Sequence, residues 1–349
     1  MIQPLVSVCV PNYNNGRYLE ACLVSALDQT WPNVEVVLVD DASTDDSLEV
    51  AERFAERIRL YRNLTNQGQP AATNRCIELA RGKYVVILHS DDQLLPGFAS
   101  RLVPLLERHP AVGMAVGERL ETDESGVAHG ITPFYHTDCV IPGERQAKVF
   151  MFMSFLPCQV LVRHSLLLQV GGVNLGHVVN LDGLLWFKCA LAADVAYVRD
   201  PVSIYRIHGE STTAQYNRRI DHMIEYYATL SEMFRLAKER PYLVSHFDAA
   251  VKRVAALTLR YCHGVFREGN YSLVRRLLSL ATVFDPEIVT DHTWRTMHYC
   301  AESTDQDPGE LYRLLLNMMS PVARSSSYDP PDGYIPLPHP GSTGDDDEA

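Results

Sequence analysis

No run of this 349-residue sequence reaches the roughly 18 consecutive apolar residues that a bilayer-spanning helix needs. The opening stretch 1–10 carries no Lys or Arg and the chain turns polar at Asn12, so a secretory leader is not expected. The eight cysteines, at 9, 22, 76, 139, 158, 189, 262 and 300, include no CxxC pair. That spacing argues against a zinc site and a disulfide framework, and for free, mostly buried thiols in a reducing compartment. Positive charge is also short. Lys and Arg number 31 against 43 Asp and Glu, a net charge of −12, and six of the acids follow residue 320. A nucleic-acid backbone is therefore an unsuitable partner, since phosphate binding needs clustered bases. Small anionic ligands remain open through a metal ion or helix N-termini. The lack of compositional bias (46% hydrophobic, 21% charged, 9% aromatic) excludes a wholly disordered or fibrous chain. The length suits about two domains.

What is present first is an alternation. Short β-rich apolar runs at 5–10, 34–39, 58–61 and 84–88 are separated by helical patterns at 18–29, 48–57, 71–80 and 97–109. The run 34–39 is nearly continuous, as in a strand buried on both faces. Strand and helix alternating through short connections predict an α/β fold with a mostly parallel sheet flanked by helices. Ligands bind such sheets at the C-terminal ends of the strands. Three polar loops lie there: 11–16, 40–46 and 89–93. Between 112 and 206 the pattern mixes short strands (112–116, 159–162, 196–198) with helices (143–154, 183–192). Beyond 213 only helical segments are expected, at 219–240, 242–268, 271–280, 291–301 and 309–319. The Pro-, Ser-, Gly- and Asp-rich stretch from 321 cannot bury a core and is expected to be disordered. The expected organisation is thus 1–213, a helical region 214–320, and an acidic tail 321–349.

Adjacent Asp91 and Asp92 follow a buried strand. Their mutual repulsion is costly unless a positive group sits there. Oxygen ligands suit Mg2+ or Mn2+, which one or two carboxylates hold together with substrate phosphates. The alternative is a solvated turn that caps the next helix. Asp41 at the end of the second strand reads either as a capping turn or as the acceptor of a hydrogen bond from a ligand N–H. Tyr13 offers a ring and hydroxyl to the same ligand.

The series is more specific than its parts. Val6-Ser7-Val8-Cys9-Val10-Pro11-Asn12-Tyr13-Asn14, Leu27-Asp28-Gln29-Thr30-Trp31-Pro32-Asn33, Val39-Asp40-Asp41-Ala42-Ser43-Thr44-Asp45, Asn66-Gln67-Gly68 and Ser90-Asp91-Asp92 occur in this order. This resembles the family 2 inverting glycosyltransferases of GT-A fold, strongly over residues 4–110 and weakly to 213. The resemblance implies a nucleotide-sugar donor, UDP-linked by preference, and a divalent Mn2+ or Mg2+. It places Pro11 and Tyr13 at the donor, Tyr13 against the nucleobase, with Asp41 bonded to the base. Asn74 and Arg75 are expected at the donor too. Asp91 and Asp92 fall on the metal-binding motif, with Asp92 the direct ligand. The sequence departs from the family at His89, where Asp is frequent; His can bind Mn2+, and the preferred reading is a residue that stands beside the ligands or serves structure. Thr73 replaces a common Arg, and Cys76 a usual Gly.

An inverting transferase needs a carboxylate to deprotonate the acceptor hydroxyl. The family places it at a helix start after a Gly-Gly-Phe-like segment. Here Gly171-Gly172-Val173-Asn174 precedes Asn180-Leu181-Asp182-Gly183, and Asp182 aligns as the base, with Leu181 replacing the usual Glu. Helix capping is the alternative role. Tyr205-Arg206-Ile207-His208 resembles the ending of many such transferases, with Arg206 and His208 expected at the diphosphate or metal, or packed at a domain junction. Trp186 reads as core or acceptor wall. The expected acceptor is a hydroxyl of a glycan, lipid-linked saccharide, polyol polymer or small molecule. Arginines in the helical region permit peripheral contact with an anionic membrane from the cytoplasmic side, and its helices permit a homo-oligomer. Two other functions compete. A nucleotidyltransferase would show a Gly-rich, basic phosphate loop that 11–16 lacks. A non-catalytic glycan- or partner-binding relative would need none of Asp41, Asp91, Asp92 and Asp182.

Overall fold

The structure is a computed structural model that describes residues 3–124, 126–178, 180–211, 220–303, 307–316 and 326–338. The chain divides into two compact units, one of residues 1–207 with 326–349 and the other of 208–325.

The first unit is built on one sheet. Its strands are β1 (Val6–Asn12), β2 (Val34–Asp40), β3 (Arg59–Arg62), β4 (Tyr84–Ile87), β5 (Gln93–Leu94), β6 (Val112–Thr122), β7 (Ala128–Gly130), β8 (Cys139–Ile141), β9 (Val160–Arg163), β10 (Asp194–Arg206) and β11 (Ile335–Pro336). They run in the order β11-β8-β10-β6-β9-β4-β1-β2-β3, with β5 on β10 and β7 on β6. β1 pairs in parallel with β2 and β4, and β2 with β3. The helices are α1 (Gly16–Leu27), α2 (Ser47–Glu52), α3 (Gln69–Leu79), α4 (Phe98–Arg108), α5 (Gly143–Phe150), α6 (His164–Val170) and α7 (Leu181–Ala192).

Alternation along β1 explains the two covered faces. Val6, Val8 and Val10 join Val36, Leu38 and the α1 residues Leu19, Cys22 and Leu23 in one core. Residues between them face the other side, where the Cys76 thiol of α3 reaches the Val37 carbonyl at 3.8 Å. Leu19 is fully buried, and burying such a side chain contributes about 1.5–3 kcal/mol.

The half beyond 110 is richer in strands than its sequence suggests. β9 runs antiparallel between β4 and β6, so the sheet is mixed. β10 spans 13 residues, not 196–198, and carries register shifts around Pro201. Pro cannot donate to a ladder and sits at such irregularities. Helix α5 ends at Phe150, short of 154, and α6 occupies a segment with no helix expected. The tail from 321 is a correction. Over 326–338 it is not disordered: β11 pairs with β8, the Leu337 N–H donates to the Asp138 carbonyl at 2.9 Å, and Leu337 packs on the core. Its few apolar residues add to a sheet edge already built, which composition does not register. Residues 339–349 lie outside the described part.

The second unit holds α8 (Ile220–Leu236), α9 (Pro241–Val244), α10 (Phe247–Arg267), α11 (Tyr271–Phe284), α12 (His292–Glu302) and α13 (Pro308–Leu316). Buried Val254, Leu259, Cys262 and Phe266 of α10 and Val274, Leu277 and Leu278 of α11 recur at helical spacing. Asn270 caps α11 by accepting the Leu273 N–H at 3.1 Å. Division at 207 puts 208–213 with the helices, and 212–219 fall outside the described residues. All eight cysteines are free and buried. Among the described residues no helix is long and apolar enough to cross a membrane.

Candidate active site

The parallel strands β1, β2 and β4 deliver three polar loops to one end of the sheet. The first two are knitted together. Asn12, buried at the end of β1, donates to Asp40 at 3.0 Å and to Ser43 at 3.2 Å. The Ser43 hydroxyl accepts the Asn14 N–H at 3.0 Å, and Asn14 Oδ1 accepts the Thr44 N–H at 2.8 Å. Asn14 (φ 52°) and Ala42 (φ 62°) are left-handed. Such backbone is costly for a side chain and concentrates where surrounding bonds over-determine a functional loop. Gly16 donates its N–H to Asp45 at 2.9 Å, and a Cβ there would lie 2.9 Å from the Ser47 nitrogen. Asn12 Oδ1 is buried with no hydrogen-bond partner, an acceptor left at the floor of these loops.

Pro11 is buried in β1, whereas the Tyr13 side chain is 46% exposed and presents its ring outward. Asp41 is buried and already engaged. It accepts from Asn63 Nδ2 at 2.7 Å, from the Gln67 N–H at 3.0 Å and from the Gly68 N–H at 2.8 Å. Its carboxylate therefore holds the loop 63–68, and any bond to a ligand is additional to that task.

Asp91 and Asp92 follow β4. Asp92 is buried and accepts the Arg206 N–H at 3.0 Å. Burial, then the charge of Asp91, push its carboxyl well above the usual range, against the pull of that Arg206 N–H and of the Cys158 thiol. Arg206 arrives from the end of β10 because β5 pairs antiparallel with β10 at Ser203–Leu94 and Ile204–Gln93. Its guanidinium lies over the Tyr18 ring at 4.8 Å and donates to the carbonyls of Asp91 and Asp123, each at 3.2 Å. His89 contacts Gln69 Nε2 at 3.0 Å, and burial lowers its pKa against the opposing charge of Asp91. It stands beside the carboxylates.

Among the described residues no group of three or more His, Cys, Asp or Glu side chains is arranged to hold a metal. Of the expected ligands Asp91, Asp92 and His208, the structure brings the two carboxylates together. His208 belongs to the second unit, where its carbonyl accepts the Ser211 N–H at 3.4 Å. The carboxylate pair nonetheless fits a hard divalent cation. Its donors are oxygens, its charge is costly where it stands, and such ions complete their shell with water and phosphate oxygens.

Asp182 opens α7. The Ser154 hydroxyl donates to its Oδ2 at 3.3 Å. Burial raises its pKa to about 6, moderated by the N–H groups of Gly183 and of Asp182 itself and by Ser154. That value suits a group ionised at neutral pH yet basic enough to take a proton. One turn on, Trp186 is buried and donates Nε1–H to the Phe155 carbonyl at 2.9 Å. Trp186 is core and not an acceptor wall. Together Asp182 and Trp186 tie the segment 154–155 to α7.

Two residues expected at the donor are engaged with other parts of the chain. The Asn74 amide is consumed by the backbone of Val173, donating to its carbonyl and accepting from its N–H, both at 2.9 Å. Gly172 (φ +64°) passes so close that a Cβ would lie 2.3 Å from Asn74 Oδ1. Asn74 thus fastens the Gly-Gly segment to α3. Arg75 is exposed and pairs with Glu78 at 3.3 Å, one turn toward the helix C-terminus and away from the strand ends. Tyr18, Ser154 and Cys158 were missed by the sequence reading. Only Tyr18 carried a signal, an aromatic on the first helix turn above the strand ends.

A sequence profile described as Glycosyl transferase family 2 matches residues 7–154. The chain is 31% identical over 217 residues to "Glycosyltransferase GlyG" of Streptococcus pneumoniae, which spans 58% of this chain and 70% of that protein. It is 33% identical over 221 residues to an uncharacterized protein of Mycobacterium tuberculosis, spanning 58% and 67%. Among solved structures, S. aureus TarS 1-349 in complex with UDP-GlcNAc is similar with a TM-score of 0.56 at 17% identity, covering 84% of this chain and 90% of that one. A mannosyltransferase from Pyrobaculum calidifontis, in complex with GDP-Man and Mn2+, is similar with a TM-score of 0.51 at 19% identity, covering 90% and 87%. At these identities the structural likeness concerns the fold, which is of the GT-A kind.

Proposed function

The chain belongs to glycosyltransferase family 2, and from that premise we propose that it is a metal-dependent inverting enzyme that moves a sugar from a nucleotide-sugar to a hydroxyl acceptor. The observation that carries this reading is the buried Asp92 beside Asp91, gripped by Arg206 at the C-terminal ends of the parallel strands. The relatives bound to UDP-GlcNAc and to GDP-Man with Mn2+ support a nucleotide-sugar, and a UDP-sugar is the donor we favour.

In this reading Tyr13 offers its exposed ring to the nucleobase. Asp41 keeps the 63–68 loop in the shape that borders it. Asp92 and Asp91 would hold Mn2+ or Mg2+, which supplies neutralisation of the departing diphosphate. Arg206 fixes the backbone of Asp91 and adds positive charge close to Asp92. Asp182, ionised above pH 6, takes the acceptor hydroxyl proton as that oxygen attacks the anomeric carbon from the face opposite the diphosphate. Attack from that side turns an α-linked donor into a β-linked product. The acceptor is the hydroxyl of a glycan, lipid-linked saccharide, polyol polymer or small molecule.

The test is nucleotide release from a panel of nucleotide-sugars with and without Mn2+, on the wild type, Asp92→Ala and Asp182→Asn. Metal-dependent release from one donor, lost in both variants, is expected. Absence of release from every donor, with no UDP-induced rise in melting temperature in Mn2+, refutes the donor site and favours a binding protein.

A further inference from the structure

The segment 326–338 does more than close a sheet edge. The Tyr328 N–H donates to the Phe134 carbonyl at 2.8 Å, and its own carbonyl accepts the His136 N–H at 3.1 Å. Its ring lies 5.3 Å from that of Phe134. Phe134 in turn meets Phe155 edge-on at 5.1 Å, and its N–H is held by buried Glu118 at 2.5 Å. Phe155 is the residue whose carbonyl Trp186 grips, and the hydroxyl of its neighbour Ser154 lies between that carbonyl at 3.1 Å and Asp182 Oδ2 at 3.3 Å. An unbroken series of packed rings and hydrogen bonds therefore runs from Tyr328 to the start of α7.

We propose that this C-terminal strap positions the catalytic carboxylate, with Tyr328 acting through Phe134 and Phe155 to keep Ser154 on Asp182. The inference rests on the reading of Asp182 as the base. Tyr328 touches no reacting atom and is a positioning residue. The physical case is that segment 151–156 is not itself helix or strand. Its position is set by what packs on it, and Phe155 is buried by the aromatic cluster. Without the Tyr328 side chain, Phe134 loses a ring neighbour while the main-chain bond from residue 328 remains, so the segment that carries Ser154 gains freedom. Asp182 makes no ion pair among the described residues, which leaves Ser154 as the side chain that tunes it.

The experiment uses the full chain and two readouts. The first is a carbon-13 NMR titration of the Asp182 carboxyl, assigned with Asp182→Asn. The second is kcat for metal-dependent nucleotide release. Ser154→Ala removes a donor to the charged form and should raise the titration midpoint by about half a unit. Tyr328→Ala should move it the same way, with no added shift in the double variant, because contacts in one series are non-additive. It should also lower kcat by about tenfold, with donor Kd within about twofold of wild type. Tyr328→Phe, which keeps the ring and the main chain, should behave as wild type. An unmoved midpoint in Tyr328→Ala, or shifts that simply add in the double variant, overturns the inference. A wild type that releases nucleotide at the rate of Asp182→Asn overturns the assignment of the base instead, while the titration still decides whether the strap reaches Asp182.

Discussion

Replacing Asp182 by Asn should separate activity from stability in opposite directions. The carboxyl titrates at about 6 in the folded chain against an ordinary 3.8, a difference worth up to about 3 kcal/mol. The sign follows from which state holds the proton. Between pH 4 and 6 the folded chain keeps a proton that the unfolded chain has released, so stability falls as pH rises through that window. Its full value is present below the unfolded pKa and lost above the folded one. Asn is neutral throughout and carries no such loss. Urea midpoints should therefore show Asp182→Asn more stable than wild type by up to about 3 kcal/mol at pH 8, and equal near pH 4. The same variant should lose about 100- to 10,000-fold in nucleotide release, the range a general base contributes. In the wild type, the acidic limb of kcat/KM should bend near pH 6. An Asn variant no more stable than wild type at pH 8 would refute the buried-charge argument. Retained activity would refute the role as base.

Three other outcomes follow from the same geometry. Asp92→Ala should abolish the Mn2+-dependent rise in melting temperature given by UDP, a rise worth about 2.7 kcal/mol in the wild type at a ligand concentration a hundredfold above Kd. Arg206→Lys should destabilise by about 1–3 kcal/mol and weaken donor binding, because an ammonium cannot reproduce the planar fork bonded to the Asp91 and Asp123 carbonyls; calorimetric titration and urea midpoints check both. His222, buried with neither ring nitrogen bonded and with its ring tilted against those of Tyr226 and Tyr261, has its pKa lowered by burial to about 4. Its contribution to stability is full above pH 6.5 and is lost as pH falls toward 4, so His222→Phe should flatten the acid side of the urea midpoint profile by up to about 3 kcal/mol.

Much of the first half was legible because burial there is local in pattern. β1 and β2 are apolar on both faces, and Asp41, Asp91 and Asp92 sit directly after strands, where a ligand approaches a parallel sheet. That Asp182 stands at a helix start was legible through the family resemblance. What stayed hidden depends on partners far off in sequence. Asn74 looks like a donor-site amide until its bonds to Val173, 99 residues on, are seen. β10 hides behind Asp200-Pro201, since a proline and a charge interrupt the strand pattern at a register shift that only the neighbouring β6 explains. The antiparallel β9 and the edge strand β11 likewise take their form from strands already in place. Ser154 carries no signal of its own, because its meaning comes from the carboxylate 28 residues later.

The return of residues 326–338 to the first unit has a consequence for synthesis. Its last strand leaves the ribosome after the whole of 208–325, about 6–24 s later at ordinary translation rates of roughly 5–20 residues per second. Through that interval the outer edge of β8 presents unpaired backbone groups, the kind of surface that recruits strands from other chains. Expression trials that stop at 207 to isolate the transferase unit would make that interval permanent. A shortened version that joins 207 to 326 through a flexible linker keeps the edge covered, and is the dissection this fold permits.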